Sequence, residues 1–326
     1  MKKIVIGLPA RNEERAITKS LSSIREAMLF TKRPNMMLVV CLNGCIDNTP
    51  KLANDFKQEY PDIQCEVIES TEGLVNAQRE IVKKFPADIH IFPDSDNTIE
   101  INSLELLISE LENDSKLVVA YAKTIPLAVP NNLSIFHKIG LLYDSQNLLT
   151  KRYYFHGRLF ATKDWYIPEN EDVVLRATQT KYTSELLKYC KKDIFLYADD
   201  IFMSSYVMNK YGIDAIRQVE GAHCFSWSVG SYRDWWNTYR RRNIEMEKMY
   251  RWFPEYNHLW PYLNRRTDWS KWFRASFPNK LRWFLFLSMR GWFFIKLKAE
   301  LFMAKFEWFK PAEQWQVTLT TKNELK

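Results

Sequence analysis

The stretch Ile89-His-Ile-Phe-Pro-Asp-Ser-Asp96 ends an apolar run in two aspartates one residue apart. The apolar part is typical of a buried strand, so Asp94 and Asp96 lie where that strand leaves its sheet. Ligands of open α/β sheets bind outside the carboxyl ends of the strands. Because two carboxylates there repel each other, the stretch predicts a divalent cation between them. The alternative is an Asx-type turn, in which both side chains bond to their own backbone.

Strand-like and helix-like segments alternate on both sides of this stretch. Before it, apolar strands are predicted at Lys3–Leu8, Met36–Leu42 and Cys65–Glu69, with helical patterns between them. Such alternation with buried strands predicts the α/β class, with a Rossmann-like, doubly wound and mostly parallel sheet. After it, the sequence predicts helices at Ile101–Leu111, Ile135–Leu149 and Ala198 to about Lys210, and strands at Leu117–Lys123, Tyr153–Thr162 and Val219–Trp227.

Composition narrows the classes of protein and partner. The chain has 326 residues, enough for one large or two medium domains, and a net charge of +7. That charge favours an anionic partner, which is a phosphorylated ligand, nucleic acid or an anionic membrane surface. Its five cysteines form no zinc-type pairs, and their odd number argues against a disulfide framework. We therefore expect a reduced, cytoplasmic protein.

Hydropathy predicts neither a signal peptide nor a spanning helix. The apolar run after Met1 is short and ends at Pro9. The longest apolar candidate, Leu281–Phe309, is interrupted by charged residues throughout, which a membrane-spanning helix does not tolerate. These residues are Arg282, Arg290, Lys296, Lys298, Glu300 and Lys305.

Three strand ends carry motifs in a fixed order. They are Pro9-Ala-Arg-Asn-Glu after the first strand, Asn43-Gly-Cys-Ile-Asp-Asn-Thr after the second, and Asp94-Ser-Asp after the fourth. Over roughly residues 3–225, this order resembles the family 2 glycosyltransferases of the GT-A fold. The resemblance implies a nucleotide-diphosphate-sugar donor, a divalent cation (Mn or Mg), and transfer with inversion at the anomeric carbon.

The resemblance also implies roles for individual residues of the donor half. The residues implied to line the nucleoside pocket are Pro9, Arg11, Asn12 and Glu13. Asn43 is implied to contact the base or the ribose, and Asp94 and Ser95 to contact the donor beside the cation. The resemblance places Arg79 at the donor phosphates. The alternative is that Arg79 lies on a solvated face of its helix. Asp96 and Asp94 are the implied cation ligands. His223 is either a further ligand or a buried, hydrogen-bonded histidine.

On the acceptor side, Ala198-Asp-Asp resembles the acidic pair that the family places at the acceptor. Asp200 is the implied general base and Asp199 its neighbour. Displacing a diphosphate with inversion requires a base on the opposite side, which takes the proton of the acceptor hydroxyl. The alternative is structural, since carboxylates are favoured at a helix N-terminus. Tyr154–Phe160, with Gly157, falls where the family has an acceptor-side strand.

Departures from the family pattern narrow the reaction. Leu42 and Cys45 replace an acidic residue and a serine that the family has after the second strand. Processive members carry Gln-x-x-Arg-Trp, whereas the nearest counterpart here is Asn237-Thr-Tyr-Arg-Arg. We therefore expect single-sugar transfer. The Arg240–Arg242 run either binds the diphosphate or is solvated.

We expect a GT-A domain at residues 1–227, with a donor half at about 1–123 and an acceptor half at about 124–227. A helical extension follows at 228–326, where eleven of the twelve tryptophans lie after residue 226. So many aromatic side chains need cover. They pack on the domain, pack on a twin chain in a homo-oligomer, or lie at an anionic membrane surface.

The sequence thus predicts a metal-dependent inverting glycosyltransferase that moves a single sugar to an acceptor hydroxyl, with Asp200 as base. The sequence does not distinguish among a glycan, a lipid-linked molecule and a small molecule as the acceptor. The second hypothesis is a non-catalytic, basic binding module of the same fold for a membrane or other anionic partner. No nucleic-acid motif is present, so no nucleic-acid partner is expected. The expected location is the cytoplasm, with peripheral contact at the inner face of a membrane as the open alternative.

Overall fold

A computed structural model describes residues 2–127, 150–180, 199–227, 231–264 and 266–305. Its main sheet has eight strands in the order β3-β2-β1-β4-β8-β6-β9-β5. The strands are β1 (Ile4–Ala10), β2 (Met36–Asn43), β3 (Gln64–Ser70), β4 (Ile89–Pro93), β5 (Thr98–Ile99), β6 (Val119–Leu127), β7 (Thr150–Lys151), β8 (Leu159–Thr162), β9 (Ile216–Trp227) and β10 (Arg266–Thr267). A separate antiparallel ribbon pairs β7 with β10.

Helices flank this sheet and extend the chain beyond it. The helices are α1 (Ile17–Thr31), α2 (Thr49–Glu59), α3 (Leu74–Lys84), α4 (Ser103–Asn113), α5 (Asn170–Gln179), α6 (Asp199–Tyr211), α7 (Tyr232–Trp252), α8 (Trp269–Arg274) and α9 (Phe277–Lys305). Every residue of β1 and β4 is buried, because helices cover both faces of the sheet. This is why those strands read as continuous apolar runs in the sequence.

The predicted α/β class and mostly parallel sheet are confirmed. β1 runs parallel to β2 and β4, β2 to β3, and β6 to β9. β8 lies antiparallel between β4 and β6. The predicted strand Tyr153–Thr162 is shorter than expected, because only its last four residues, Leu159–Thr162, pair in the sheet.

The aspartate stretch forms a crossing between β4 and β5. β5 follows directly after Asn97 yet pairs with β9 at the far edge of the sheet, where Ile99 faces Cys224. At its start the crossing is held by a hydrogen bond from the Asp94 amide to the Arg158 carbonyl, 3.0 Å long. A second bond, from the Asn97 amide to the Asp94 carbonyl (3.2 Å), closes a turn. The crossing is therefore fixed at both ends.

The strand directions bring the predicted site residues to one edge. The carboxyl ends of the parallel strands β1, β2 and β4 meet there. Since β8 is antiparallel to β4, its amino end lies at the same edge, with Leu159 opposite Pro93. The loops after β1 and β2, the crossing 94–97 and the turn before β8 therefore surround a single region.

The C-terminal helices stack in series on the domain. α7 packs on the core with Met246, Met249 and Trp252. A second cluster joins α7 to α9, formed by Trp236 and Ile244 with Phe293 and Leu297. One face of the aromatic helix therefore packs within the chain, which was one of the predicted alternatives.

Some elements differ from the sequence predictions or lie outside them. The predicted helix at Ile135–Leu149 lies outside the described residues. β5, α5 and α8 were not predicted, because they are short and carry no clear periodicity. The predicted helix at Leu281–Phe309 starts earlier, at Phe277, and is described to Lys305. Within the described ranges, no helix is both long and apolar enough to cross a bilayer.

Candidate active site

The loops after β1 and β2 are joined side by side. The Asn43 side chain, at the end of β2, donates a hydrogen bond to the Ala10 carbonyl over 3.1 Å. Asn12 has a positive φ of 54° and accepts a bond from the Ile46 amide at 2.8 Å. The Glu13 amide donates to the Thr49 hydroxyl at the start of α2, at 2.7 Å. These contacts fix the walls of the pocket predicted for the nucleoside.

The predicted cationic donor contacts are both held by acidic partners. Arg11 forms a 2.5 Å ion pair with Glu72, the residue before the turn into α3. Arg79 lies on α3, donates to the Pro168 carbonyl at 2.6 Å and pairs with Glu169 at 3.0 Å. Arg79 thus ties α3 to the segment before α5, and its contact with donor phosphates stays a prediction.

Four aspartates meet at the carboxyl edge of the sheet. The pKa of Asp94 lies well above its usual range, because the group is removed from water and because Asp96, Asp199 and Asp200 add negative charge. Arg158 opposes this shift. The residues of the crossing and the residues that begin α6 are therefore close enough to feel each other's charge. This is the meeting of two distant motifs that the sequence predicted.

Asp199 is the buried member of the second pair. Its Oδ2 accepts a 2.6 Å hydrogen bond from the side chain of Gln78, which is itself buried on α3. A Cβ added at Gly157 would lie 3.4 Å from Asp199 Oδ1, an ordinary van der Waals contact, so the turn at Gly157 lies directly beside the carboxylate. Burial and the charge of Asp200 raise the pKa of Asp199 to about 7, against the hydrogen bond from Gln78.

Asp200 is half-buried and lies closer to the cations of α7. Its Oδ1 accepts a 2.8 Å hydrogen bond from the Ile201 amide in the first turn of α6. Burial raises the pKa of Asp200, while Arg242 and Arg241 oppose the rise. Burial lowers the pKa of Arg241, and the negative charges of Asp200, Asp94 and Asp199 oppose that shift. Arg241 therefore faces the acidic site rather than open solvent.

The acceptor-side turn carries Tyr154 between two guanidinium groups. Arg152 and Arg242 lie 5.0 Å and 5.2 Å from the centre of its ring. His156, next to Gly157, contacts the Thr124 hydroxyl at 3.0 Å. Burial, aided by Arg158, lowers the pKa of His156 to about 3, so this histidine is neutral at physiological pH.

His223 lies on β9 and is oriented by α4. Its Nδ1 contacts the Glu100 carboxylate, and its backbone amide donates to the Ser103 hydroxyl at 2.9 Å. A carboxylate on one ring nitrogen is the common way to orient a metal-binding histidine through the other nitrogen. The same contact suits a purely structural histidine, so both alternatives from the sequence remain predictions.

The chemistry of the donor set fits a cation shared with a ligand. Within the part of the chain that the structure describes, no three His, Cys, Asp or Glu side chains form a ready metal cage. Mg²⁺ commonly keeps waters and is bound by one or two carboxylates together with substrate phosphates. Asp94 and Asp96 fit that pattern, since the raised pKa of Asp94 records repulsion that a cation would relieve.

We expect the rate of transfer to fall as the pH drops below about 7, the value to which the pKa of Asp199 is raised. A raised carboxyl pKa means that the acidic pair holds a proton below that pH and loses it above. Loss of that proton leaves both carboxylates of the pair ionised, and the second negative charge strengthens the predicted base, so transfer should be fastest on the alkaline side. The measurement is kcat/KM between pH 5 and 9, scored as nucleoside diphosphate released.

Asp199→Asn removes the negative charge beside Asp200 and should move the acidic limb of this profile to lower pH, because like charges raise each other's pKa. The matched control is Asp172→Asn, an exposed carboxylate on α5. A profile that is the same in Asp199→Asn and the wild type would show that this pair does not set the limb.

Sequence reasoning missed several residues that complete the site. Gln78 accepts a 3.4 Å hydrogen bond from Trp165 and holds Asp199, although 121 residues separate it from that aspartate. A local signal exists, because Gln78 is a polar residue among the apolar positions Val75, Ala77 and Ile81 of the buried face of α3. Glu100, the partner of His223, carries no such signal.

Comparisons with known proteins agree with this architecture. Residues 5–163 match the family model described as glycosyl transferase family 2. This match confirms the resemblance carried by the strand-end motifs. No curated protein gives a significant match to the sequence.

Solved structures align with this chain at low sequence identity. The mannosyltransferase PcManGT from Pyrobaculum calidifontis, in complex with GDP-Man and Mn²⁺, aligns with a TM-score of 0.51 and 16% identity, covering 99% of this chain and 85% of that one. TarS 1–349 from S. aureus, in complex with UDP, aligns with a TM-score of 0.43 and 16% identity, covering 76% of this chain and 68% of that one. Mannosyl-3-phosphoglycerate synthase from Rubrobacter xylanophilus aligns with a TM-score of 0.45 and 14% identity, covering 76% of this chain and 74% of that one.

Proposed function

We propose that this chain, whose residues 5–163 match the glycosyl transferase family 2 model, moves a single sugar from a nucleotide-diphosphate sugar to an acceptor hydroxyl, with inversion. The observation that carries this proposal is the convergence of Asp94, Asp96, Asp199 and Asp200 at one edge of the sheet. Repulsion between grouped carboxylates lowers the stability of a fold, so such a group usually has a function. A cation-bound leaving group and a base on its far side provide one.

The donor would lie along the ends of β1, β2 and β4. The pocket between the Asn12 and Asn43 loops takes the nucleoside, and Pro9, Arg11 and Glu13 border it. The diphosphate then points to Asp94, Ser95 and Asp96. Arg241, which faces these carboxylates from α7, supplies positive charge on that side of the site. This arrangement assigns the Arg240–Arg242 run to the site through Arg241.

The residues at the crossing fit Mn or Mg. When bound, such a cation offsets the charge that develops on the leaving diphosphate. Asp94 and Asp96 would hold it, with His223, oriented by Glu100, as the third candidate. PcManGT, which has the same fold, was solved with GDP-Man and Mn²⁺.

Asp200 is the proposed general base. Its Oδ1 accepts a hydrogen bond from the Ile201 amide, and the backbone of Gly157 also donates to its carboxylate, so the group is held in place to accept the proton of the acceptor hydroxyl. Asp199, held by Gln78 and packed on Gly157, keeps Asp200 and the turn before β8 in register. The negative charge of Asp199 also makes Asp200 a stronger base.

On the proposed acceptor side, Arg152 and Arg242 lie over the ring of the buried Tyr154, and their positive charge favours an anionic acceptor. The choice among a glycan, a lipid-linked molecule and a small molecule stays open. We propose a cytoplasmic location, with peripheral contact at the inner face of a membrane as the open alternative. The division into a domain at 1–227 and an extension at 228–326 is part of the same proposal.

The competing proposal is a non-catalytic basic module of the same fold. The two differ in nucleotide binding, so we propose a thermal-shift panel of UDP-, GDP- and CDP-sugars with and without Mn²⁺. A ligand at 100 times its Kd adds about 2.7 kcal/mol to stability. For a chain of this size, that corresponds to a rise in Tm of roughly 4 °C.

We expect such a rise with sugars of one base, and a larger one when Mn²⁺ is present. The change in melting temperature with Mn²⁺ alone is measured as the blank and subtracted from the change seen with nucleotide sugar and Mn²⁺ together. Equal melting temperatures with every nucleotide, in the presence and absence of Mn²⁺, would favour the binding module and overturn the transferase.

A further inference from the structure

The outer face of α9 is apolar and exposed. The helix has 29 residues, so it is about 44 Å long. Its inner face is buried through Phe286, Phe293 and Leu297. On the opposite side, large apolar side chains face solvent, including Phe277 (77% exposed), Phe284 (61%), Ile295 (60%) and Phe302 (57%). An ordinary surface helix has polar residues on that side.

α8 extends the same surface. It packs on α9 through Trp272, whose ring centre lies 5.9 Å from that of Trp283. Two other aromatic side chains of α8, Trp269 and Phe273, remain exposed. Exposed aromatic and aliphatic side chains thus run continuously from α8 along α9. Contiguous apolar surface of this extent marks an interaction site in soluble proteins.

Positive charge accompanies these apolar side chains. Together, α8 and α9 contain eight Lys and Arg but one acidic residue, Glu300, which is buried. Lys298 lies over the ring of exposed Phe294, and Lys280 over Trp272, so cations border the apolar surface. A second copy of the chain would bring this charge against itself, since a twofold contact pairs identical patches. An anionic partner is complementary to it.

We propose that α8 and the outer face of α9 form a docking surface for an anionic lipid bilayer. Aromatic side chains on one side and flanking Lys and Arg are the features of a helix that lies in the headgroup region. Among the helices that the structure describes, none is apolar enough over a membrane-spanning length to cross a bilayer. The inner face of α9 stays on α7, so the bilayer would be separated from the sheet by these two helices. This assignment rests on the surface alone and does not depend on the proposed transfer reaction.

Vesicle co-sedimentation of the full chain tests the proposal. We compare vesicles of phosphatidylcholine with vesicles that contain 30% phosphatidylglycerol, at low and high salt. Wild-type protein should partition at least about tenfold more strongly to the anionic vesicles, and salt should weaken the binding. Equal partition to both kinds of vesicle, or none to either, would overturn the assignment.

The variant Phe284→Ser/Ile295→Ser removes two outer-face side chains and should lower partition to anionic vesicles by about tenfold or more. The matched control is Leu29→Ser/Phe30→Ser, because these residues are also exposed apolar side chains (42% and 49%), at the end of α1. Equal melting temperatures show that each variant is folded. If the wild type forms a dimer by light scattering and the α9 variant breaks it while still binding vesicles, the surface belongs to a twin chain and the proposal fails.

Discussion

Asp96→Ala is expected to lower sugar transfer, and hydrolysis of the donor by water, by at least about a thousandfold. Metal-ion stabilisation of transition-state charge is worth several kcal/mol, and each 1.36 kcal/mol is a factor of about ten in rate. The substitution removes one of the two carboxylates in the crossing between β4 and β5. The measurement is nucleoside diphosphate released with saturating donor, with and without Mn²⁺.

The loss should come from the site and not from the fold. Removing a negative charge beside Asp94 relieves repulsion, so the melting temperature should not decrease. The Mn²⁺-dependent rise in Tm with nucleotide sugar should disappear. Asp55→Ala is the control, since Asp55 is a surface aspartate paired with Lys51 on α2. Unchanged turnover in Asp96→Ala would refute the cation site.

Asp200→Asn is expected to reduce transfer by about 10² to 10⁴, the usual contribution of a general base, while donor and cation binding stay the same. Asparagine keeps the shape of the side chain, and its oxygen can accept the hydrogen bond from the Ile201 amide. It cannot accept the acceptor's proton. The measurements are the transfer rate and, separately, the melting-temperature shift with nucleotide sugar and Mn²⁺.

Two results distinguish a base from a binding residue. A lost thermal shift in Asp200→Asn would mean that Asp200 holds the donor. Normal transfer would show that the base lies elsewhere, and Asp199→Asn would then be the next variant to measure. Loss of transfer with an intact thermal shift is the pattern that supports the base.

Much of the donor half is legible in the sequence, because its signals are local. β1, β2 and β4 are short apolar runs that are buried on both faces, and each ends in a polar motif. Parallel pairing then brings these motifs to one edge without further information. The fold class and the resemblance to family 2 glycosyltransferases therefore follow from about a hundred residues.

The acceptor half is less legible, because its contacts are long-range. The turn before β8 reads as a strand by alternation, yet Gly157 faces Asp199 instead of pairing in the sheet. No periodicity marks β5, which has only two residues. The Gln78–Asp199 contact depends on packing between α3 and α6, which a single sequence does not specify.

The crossing between β4 and β5 limits how this enzyme can be altered. β5 is four strand positions from β4 in the order of the sheet, a distance of about 19 Å if the sheet were flat. The chain from Pro93 to Thr98 reaches at most about 17 Å, and the turn at Asp94 shortens it. The sheet must therefore curl to bring its far edge toward β4. An insertion or deletion between Pro93 and Thr98 would change the curvature of the sheet. The fold therefore constrains the length of this segment, whereas the proposed cation site constrains the identity of Asp94 and Asp96.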